Sequence, residues 1–65
     1  MYAVKAGIER VPYALAANDE VHTSSQPAEV ANELIRRSDS YKVVGDSLRI
    51  DGGIIYRLSD LEMLA

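Results

Sequence analysis

The stretch that decides the fold is YKVVGDSLRIDGGIIYRL, residues 41–58. It holds three runs of β-branched, aliphatic or aromatic residues, and the two segments between them are rich in Gly, Asp and Ser. Such runs are typical of strands, and Gly/Asp segments are typical of tight turns, because glycine tolerates the positive φ that these turns require. The pattern therefore predicts an antiparallel meander of three short strands at 41–44, 48–50 and 54–58.

The residues before this meander predict an α-helix over about 26–37. The segment Ser24-Ser25-Gln26-Pro27 is typical of a helix start, because serine accepts hydrogen bonds from free amides and proline in the first turn loses no needed donor. Glu29 near the start and Arg36-Arg37 near the end suit the helix dipole. Apolar residues share one stripe at helical spacing: Pro27, Val30, Ala31, Leu34 and Ile35.

Three weaker patterns lie nearer the chain ends. Apolar and polar residues alternate over 2–9, which predicts a short strand. Residues 12–18 combine a proline with alanine-rich sequence and predict a short helix, with an extended segment over 11–16 as the open alternative. Ser59-Asp60-Leu61-Glu62 is a capping-box pattern that predicts a short C-terminal helix through Ala65.

These elements predict a single compact domain over 1–65 of the α+β class. A small antiparallel sheet of about three to four strands would pack against one central helix, with the short C-terminal helix docked on it. Because 65 residues bury only a small core, a partner or a second copy would contribute to stability. The residues expected in the core are Val30, Leu34, Ile50, Ile54, Tyr56 and Leu61.

Composition argues against several functional classes. The chain has no cysteine, so disulfides, thiol nucleophiles and thiolate zinc sites are excluded, and we expect a cytoplasmic protein. No run approaches the 18 apolar residues of a membrane span. His22 is the only histidine, lies in a polar segment predicted to be a loop, and lacks a second ligand at metal-binding spacing. We therefore expect no enzymatic activity, no cofactor and no metal.

The charged residues indicate binding to a macromolecule. Seven basic and ten acidic residues give a net charge of -3, and the acidic residues are spread along the chain. Gathered on one face, they would attract a larger protein or protein–nucleic acid complex with a basic surface. The predicted partner-binding residues are Glu29 and Glu33, one turn apart on the helix, and Asp46 and Asp51 on the hairpin turns.

The basic residues support an alternative function. Five of the seven lie between 36 and 57, on the predicted helix end and the meander. Such a cluster is typical of proteins that contact nucleic-acid phosphates. The residues that would bind nucleic acid in this case are Arg36, Arg37, Arg49 and Arg57. A third alternative is a small subunit that forms a homodimer through its first strand, since an exposed edge invites pairing.

Two resemblances accompany these patterns. The segment GGIIYRLSDLEML, from Gly52 to Leu64, resembles the wing strand and closing helix of excisionase-like and MerR-like DNA-binding domains. That resemblance implies a winged DNA-binding protein. In size, acidity and lack of cysteine, the whole chain resembles the small anti-CRISPR inhibitors encoded by phages and mobile elements. This resemblance implies a non-enzymatic inhibitor that occupies a basic, nucleic-acid-handling surface, and it is the leading prediction.

Overall fold

In a computed structural model, the chain is described at residues 1–17 and 20–64, except for the side chains of residues 16, 17, 20–22 and 52. Those residues form seven β-strands and one α-helix, with 3-10 turns at Asp51–Gly53 and Leu58–Asp60. The elements are β1 Tyr2–Val4, β2 Arg10–Ala17, β3 Glu20–Pro27, α1 Ala28–Arg37, β4 Tyr41–Val44, β5 Ser47–Ile50, β6 Ile54–Arg57 and β7 Leu61–Met63. The fold is therefore mostly β, and the predicted α+β class with three to four strands is wrong.

The strands form two antiparallel sheets. The larger has five strands in the order β3-β2-β6-β5-β4, and the smaller pairs β1 with β7. The predicted meander is confirmed within the larger sheet, where Val43 pairs with Leu48 and Leu48 pairs with Tyr56. Gly45 has a φ of 61° in the two-residue loop that joins β4 to β5, the left-handed conformation that glycine adopts without strain.

The predicted short helix over 12–18 is wrong for residues 12–17, because Arg10–Ala17 is strand β2. Residue 18 lies outside the described residues. This strand pairs with β3 along its whole length and with β6 on its other side, so Tyr13 lies opposite both Ser24 and Tyr56. Backbone pairing on both edges outweighs the modest helix propensity of an alanine-rich segment. The competing extended prediction for 11–16 is the one that holds, and the expected loop around His22 is part of β3.

The predicted C-terminal helix is also wrong. Leu58–Asp60 forms a single 3-10 turn, and Leu61–Met63 continues as strand β7, which lies antiparallel to β1 with Leu61 opposite Val4. One or two helical turns have little stability of their own, and pairing with β1 satisfies the same backbone groups. The first strand is shorter than predicted, since it ends at Val4 before a turn in which Gly7 has a φ of 90°.

The helix prediction is confirmed with a later start. Helix α1 begins at Ala28, whose amide donates to the carbonyl of Glu9 at 3.0 Å, and no serine side chain caps it. Ala31 and Ile35 are buried against the sheet, whereas Val30, expected in the core, is 45% exposed. Among the described residues, no helix is long and apolar enough to cross a membrane.

The core lies between one face of the five-stranded sheet and a layer formed by α1 and the β1–β7 pair. Ile50, Tyr56 and Leu61 are buried as predicted, while Leu34 and Ile54 are partly buried against this cluster. The predicted core did not include the other members, although Ala31 and Ile35 belong to the predicted apolar stripe of the helix. The buried residues are Val4, Val11, Ala31, Ile35, Leu48, Ile50, Tyr56 and Leu61.

Candidate functional site

The five-stranded sheet has one covered face and one open face. Side chains alternate between the two faces along each strand, so residues that flank buried ones project to the other side. Val11, Leu48 and Tyr56 are fully buried on the covered face, beneath α1 and the small sheet. On the other face, which we call the open face, no described side chain is buried.

The strand registers place the residues of the open face in two rows that run across the sheet. Cross-strand pairs define the first row, and the second is offset from it by two residues along each strand. The first row is Lys42, Arg49, Ile55, Ala14 and Thr23. The second is Val44, Ser47 and Arg57, followed by Pro12 and Ser25. Arg57 and Pro12 line the same shallow groove at the centre of this face.

Four basic side chains cross the open face along a line that we call the basic diagonal: Lys42, Arg49, Arg57 and Arg10. Lys42 and Arg49 are direct cross-strand partners, so their Cβ atoms lie about 5 Å apart. Arg57 lies opposite Ser47, which places it diagonally from Arg49 at about 7–8 Å. Arg10, two residues before Pro12 on β2, extends the line beyond the second row. All four are exposed.

The basic diagonal has no counter-charge among the described side chains of its own sheet. Among the described side chains of the five strands, none is a carboxylate. The ion pairs found in the described part of the chain are those of Glu33 on the helix, and they involve none of these four residues. Like charges placed directly opposite each other repel, as Lys42 and Arg49 do. This face therefore concentrates positive charge on a molecule whose net charge is -3.

The predicted carboxylates on the helix lie on the far side of the molecule from the open face. Glu33 accepts a hydrogen bond from Nη1 of Arg36 at 3.2 Å and another from Nε of Arg37 at 3.0 Å. Its charge is therefore partly neutralised. Glu29 is exposed in the first turn, and it lines a shallow groove together with Glu33 and the exposed Val30.

The other two predicted carboxylates flank the four-residue strand β5, one at each end, about 16 Å apart along the strand. Asp46 belongs to the β4–β5 loop, and its carbonyl accepts the amide of Leu58 at 2.9 Å. The Ser40 hydroxyl donates to the carboxylate of Asp51, and this hydrogen bond holds the pKa of Asp51 below its usual value. The structure thus does not gather the four predicted carboxylates on one surface.

The predicted basic set is divided as well. Arg49 and Arg57 share the open face, but Arg36 and Arg37 lie on α1 and are occupied by Glu33. Sequence reasoning missed Arg10, and it noted Lys42 in the basic cluster without including it among the binding residues. Period-two alternation is the signal that finds the full set. Next to each of these four residues in its strand lies an apolar residue. That neighbour either belongs to the core cluster or projects to the same side of the sheet as the core cluster.

The described residues suggest no centre for metal chemistry. No three Asp, Glu or His side chains come together among them, and the side chain of His22 lies outside them. An open recess of about 440 Å³ beside the basic diagonal is lined by Ser40, Lys42, Arg49 and Asp51, among others. Lys42 and Arg49 offer hydrogen-bond donors there that suit an anionic oxygen.

Comparisons of this chain with protein families, with curated proteins and with solved structures find no match.

Proposed function

We propose that this chain is a non-enzymatic binding module whose open sheet face holds the phosphate backbone of a nucleic acid. The observation that carries the proposal is the basic diagonal: four exposed cations with no carboxylate among the described side chains of their sheet. A row of phosphates would relieve the repulsion between Lys42 and Arg49.

The open face favours contact with the backbone over recognition of bases. Its hydroxyl-bearing residues, among them Thr23, Ser25 and Ser47, are suited to donate to phosphate or sugar oxygens. Stacking with bases needs aromatic side chains, yet the tyrosines of this sheet, Tyr13, Tyr41 and Tyr56, all alternate to the other side. Binding should therefore depend weakly on sequence and strongly on salt.

The acidic character of the whole chain is compatible with this function. The helix and the turns carry carboxylates such as Glu29 and Asp46, away from the open face or at the ends of its strands. A charge distribution of this kind orients the molecule as it approaches a polyanion, with the basic diagonal leading. The lack of cysteine suits a cytoplasmic location, where nucleic acid is accessible.

Fluorescence anisotropy with labelled single-stranded and duplex oligonucleotides between 50 and 200 mM salt tests the proposal. If all four cations contact phosphates, log K should fall with log [salt] with a slope of about -3.6 on duplex DNA and about -2.8 on single strands. Arg49→Ala and Arg57→Ala should each weaken binding to every sequence and reduce the slope by about one unit.

The matched control is Arg36→Ala, which removes the same charge from the helix on the other side of the molecule. Binding should be nearly unchanged in this variant. Equal losses in Arg36→Ala and Arg49→Ala would mean that net charge, and not the open face, governs binding. Absence of salt-dependent binding to either oligonucleotide at 50 mM salt would refute the proposal.

Capture experiments distinguish the proposed function from the inhibitor function that the sequence predicts. An inhibitor of the anti-CRISPR type would capture a basic, nucleic-acid-handling complex through its carboxylates. Capture would then be lost when Glu29 and Glu33 are both changed to lysine and retained in Arg49→Ala. Loss of oligonucleotide binding in Arg49→Ala, with no effect of the helix changes, would favour the open face.

A further inference from the structure

Strand β4 is an apolar edge of the larger sheet. It pairs with β5 on one side only, and all four of its residues are exposed. Tyr41, Val43 and Val44 are 41%, 47% and 43% exposed, and they lie on both faces of the strand. The other edge strand, β3, is polar in its described side chains. An exposed apolar edge is a template for pairing with another chain.

The free edge of β1 is less available for such pairing. β1 pairs with β7 on one side, and on the other its Val4 amide donates to Oδ1 of Asn32 at 2.7 Å. Strand β4 is therefore a better candidate for pairing between two copies than the first strand, through which the sequence predicts a homodimer.

The hairpin geometry shows which backbone groups of β4 are free. Val44 and Ser47 close a two-residue loop, so this pair exchanges backbone hydrogen bonds, and the hydrogen-bonded pairs then alternate along the strand. Lys42 and Val44 thus direct their amides and carbonyls toward β5. Tyr41 and Val43 direct theirs outward, where a further strand can bind them.

We propose that β4 pairs antiparallel with β4 of a second copy of this chain, with Val43 opposite Val43 of that copy. In such a pairing, the outward-facing amides and carbonyls of one copy must lie opposite those of the other copy. Two registers satisfy this condition, one centred on Val43 and one centred on Lys42. The register about Lys42 places two lysines directly opposite each other and is disfavoured. The register about Val43 instead sets each Lys42 opposite Val44 of the other copy, with Asp46 of that copy two residues further along the chain.

This pairing has a defined symmetry. Directly opposite residues project to the same side of a sheet, so Val43 against Val43 requires a two-fold axis perpendicular to it. The two copies would form one ten-stranded sheet, with both open faces on the same side. Because only four residues per copy pair, the interface is smaller than the roughly 1,200 Å² of a stable complex, and the dimer should be weak and concentration-dependent. The inference rests on β4 and does not require the proposed function.

Sedimentation from about 10 µM to 1 mM protein provides the first test, with concentrations chosen for a weak complex. The unmodified chain should shift from monomer to dimer across this range. Val43→Lys, which places two lysines opposite each other on the axis, should remain monomeric throughout. The control Val30→Lys changes a helix residue of similar exposure, 45%, and should dimerise normally. Circular dichroism must show that both variants remain folded.

Single-cysteine variants test the register itself, and the absence of native cysteine makes them unambiguous. In Val43→Cys the two Cα atoms would lie about 5.5 Å apart, within the range of a disulfide. In Val44→Cys they would lie about 8 Å apart, beyond that range. Mild oxidation should therefore cross-link the first variant and spare the second. Equal cross-linking of the two, or a monomer at every concentration, would overturn the proposal.

Discussion

The side-chain amide of Gln26 donates a 2.6 Å hydrogen bond to the phenolic oxygen of Tyr56, joining edge strand β3 to β6. Tyr56 is fully buried, and Gln26 is partly buried. The strands that carry them are separated by β2, so this bond fastens three strands on the covered face. A buried hydroxyl without a partner costs free energy, and Gln26 supplies that partner.

Replacing Gln26 with leucine should lower the free energy of unfolding by about 1–3 kcal/mol, because the Tyr56 hydroxyl loses its partner in a buried position. Adding Tyr56→Phe should recover part of this loss, because it removes the hydroxyl that has lost its hydrogen-bond partner. Urea denaturation of both single variants and the double variant gives the coupling free energy. Strictly additive losses would show that the two side chains do not stabilise each other.

The stability of the fold should decrease at alkaline pH because of Tyr56. Burial raises the pKa of this phenol above its usual value, since desolvation disfavours the phenolate. The folded state therefore favours the neutral form, and its contribution is complete below about pH 10 and lost as the pH rises through the raised pKa. Thermal unfolding across this range should show a smaller decrease in Tyr56→Phe. The decrease should persist in Tyr41→Phe, whose ring is exposed.

Leu48→Ala should lower the free energy of unfolding by about 2–5 kcal/mol, because it opens a cavity at a fully buried position on β5. In a domain this small, such a loss approaches the total stability. The control Val30→Ala alters an exposed residue that the sequence placed in the core, and its effect should stay within about 0.5 kcal/mol. Chemical denaturation monitored by circular dichroism measures both. Equal losses of stability in the two variants would contradict the burial of Leu48 and the exposure of Val30.

The carboxyl group of Asp51 should titrate closer to its usual pKa in Ser40→Ala. The Ser40 hydroxyl is the main cause of the lowered pKa, because it stabilises the carboxylate by a hydrogen bond. Its contribution to stability is present above the usual pKa of Asp and is lost as the pH falls through the lowered value. Carbon-detected NMR titration of Asp51 measures the change. Ser59→Ala, at an exposed serine elsewhere, should leave this titration unaltered.

Local pattern was sufficient for the meander and for most of the helix. In residues 41–57 the strand-forming runs and the Gly/Asp turns agree with each other, so local preference and tertiary pairing select the same structure. In α1, Ala31 and Ile35 have the spacing that a buried helix face requires. Val30 lies beside them in sequence but at the rim of the stripe, where the sheet does not reach it.

Two segments were decided by partners distant in sequence. Residues 12–17 have helix-forming alanines, but Tyr13 lies opposite Ser24 in β3 and Tyr56 in β6, and these contacts fix an extended backbone. Leu61–Met63 follows a capping-box pattern, yet β1 lies beside it and pairs with it. A short segment shows too few periods for its own sequence to reveal which alternative wins.

The candidate site shows the same division. The sequence by itself determined that Lys42, Arg49 and Arg57 alternate with apolar residues and must project from the side opposite the core. Only the tertiary structure decided that these side chains, with Arg10, form one line across a single face, because strand order and register depend on long-range pairing. It also decided that this face stays open, since α1 and the small sheet bury their apolar side chains against the other one.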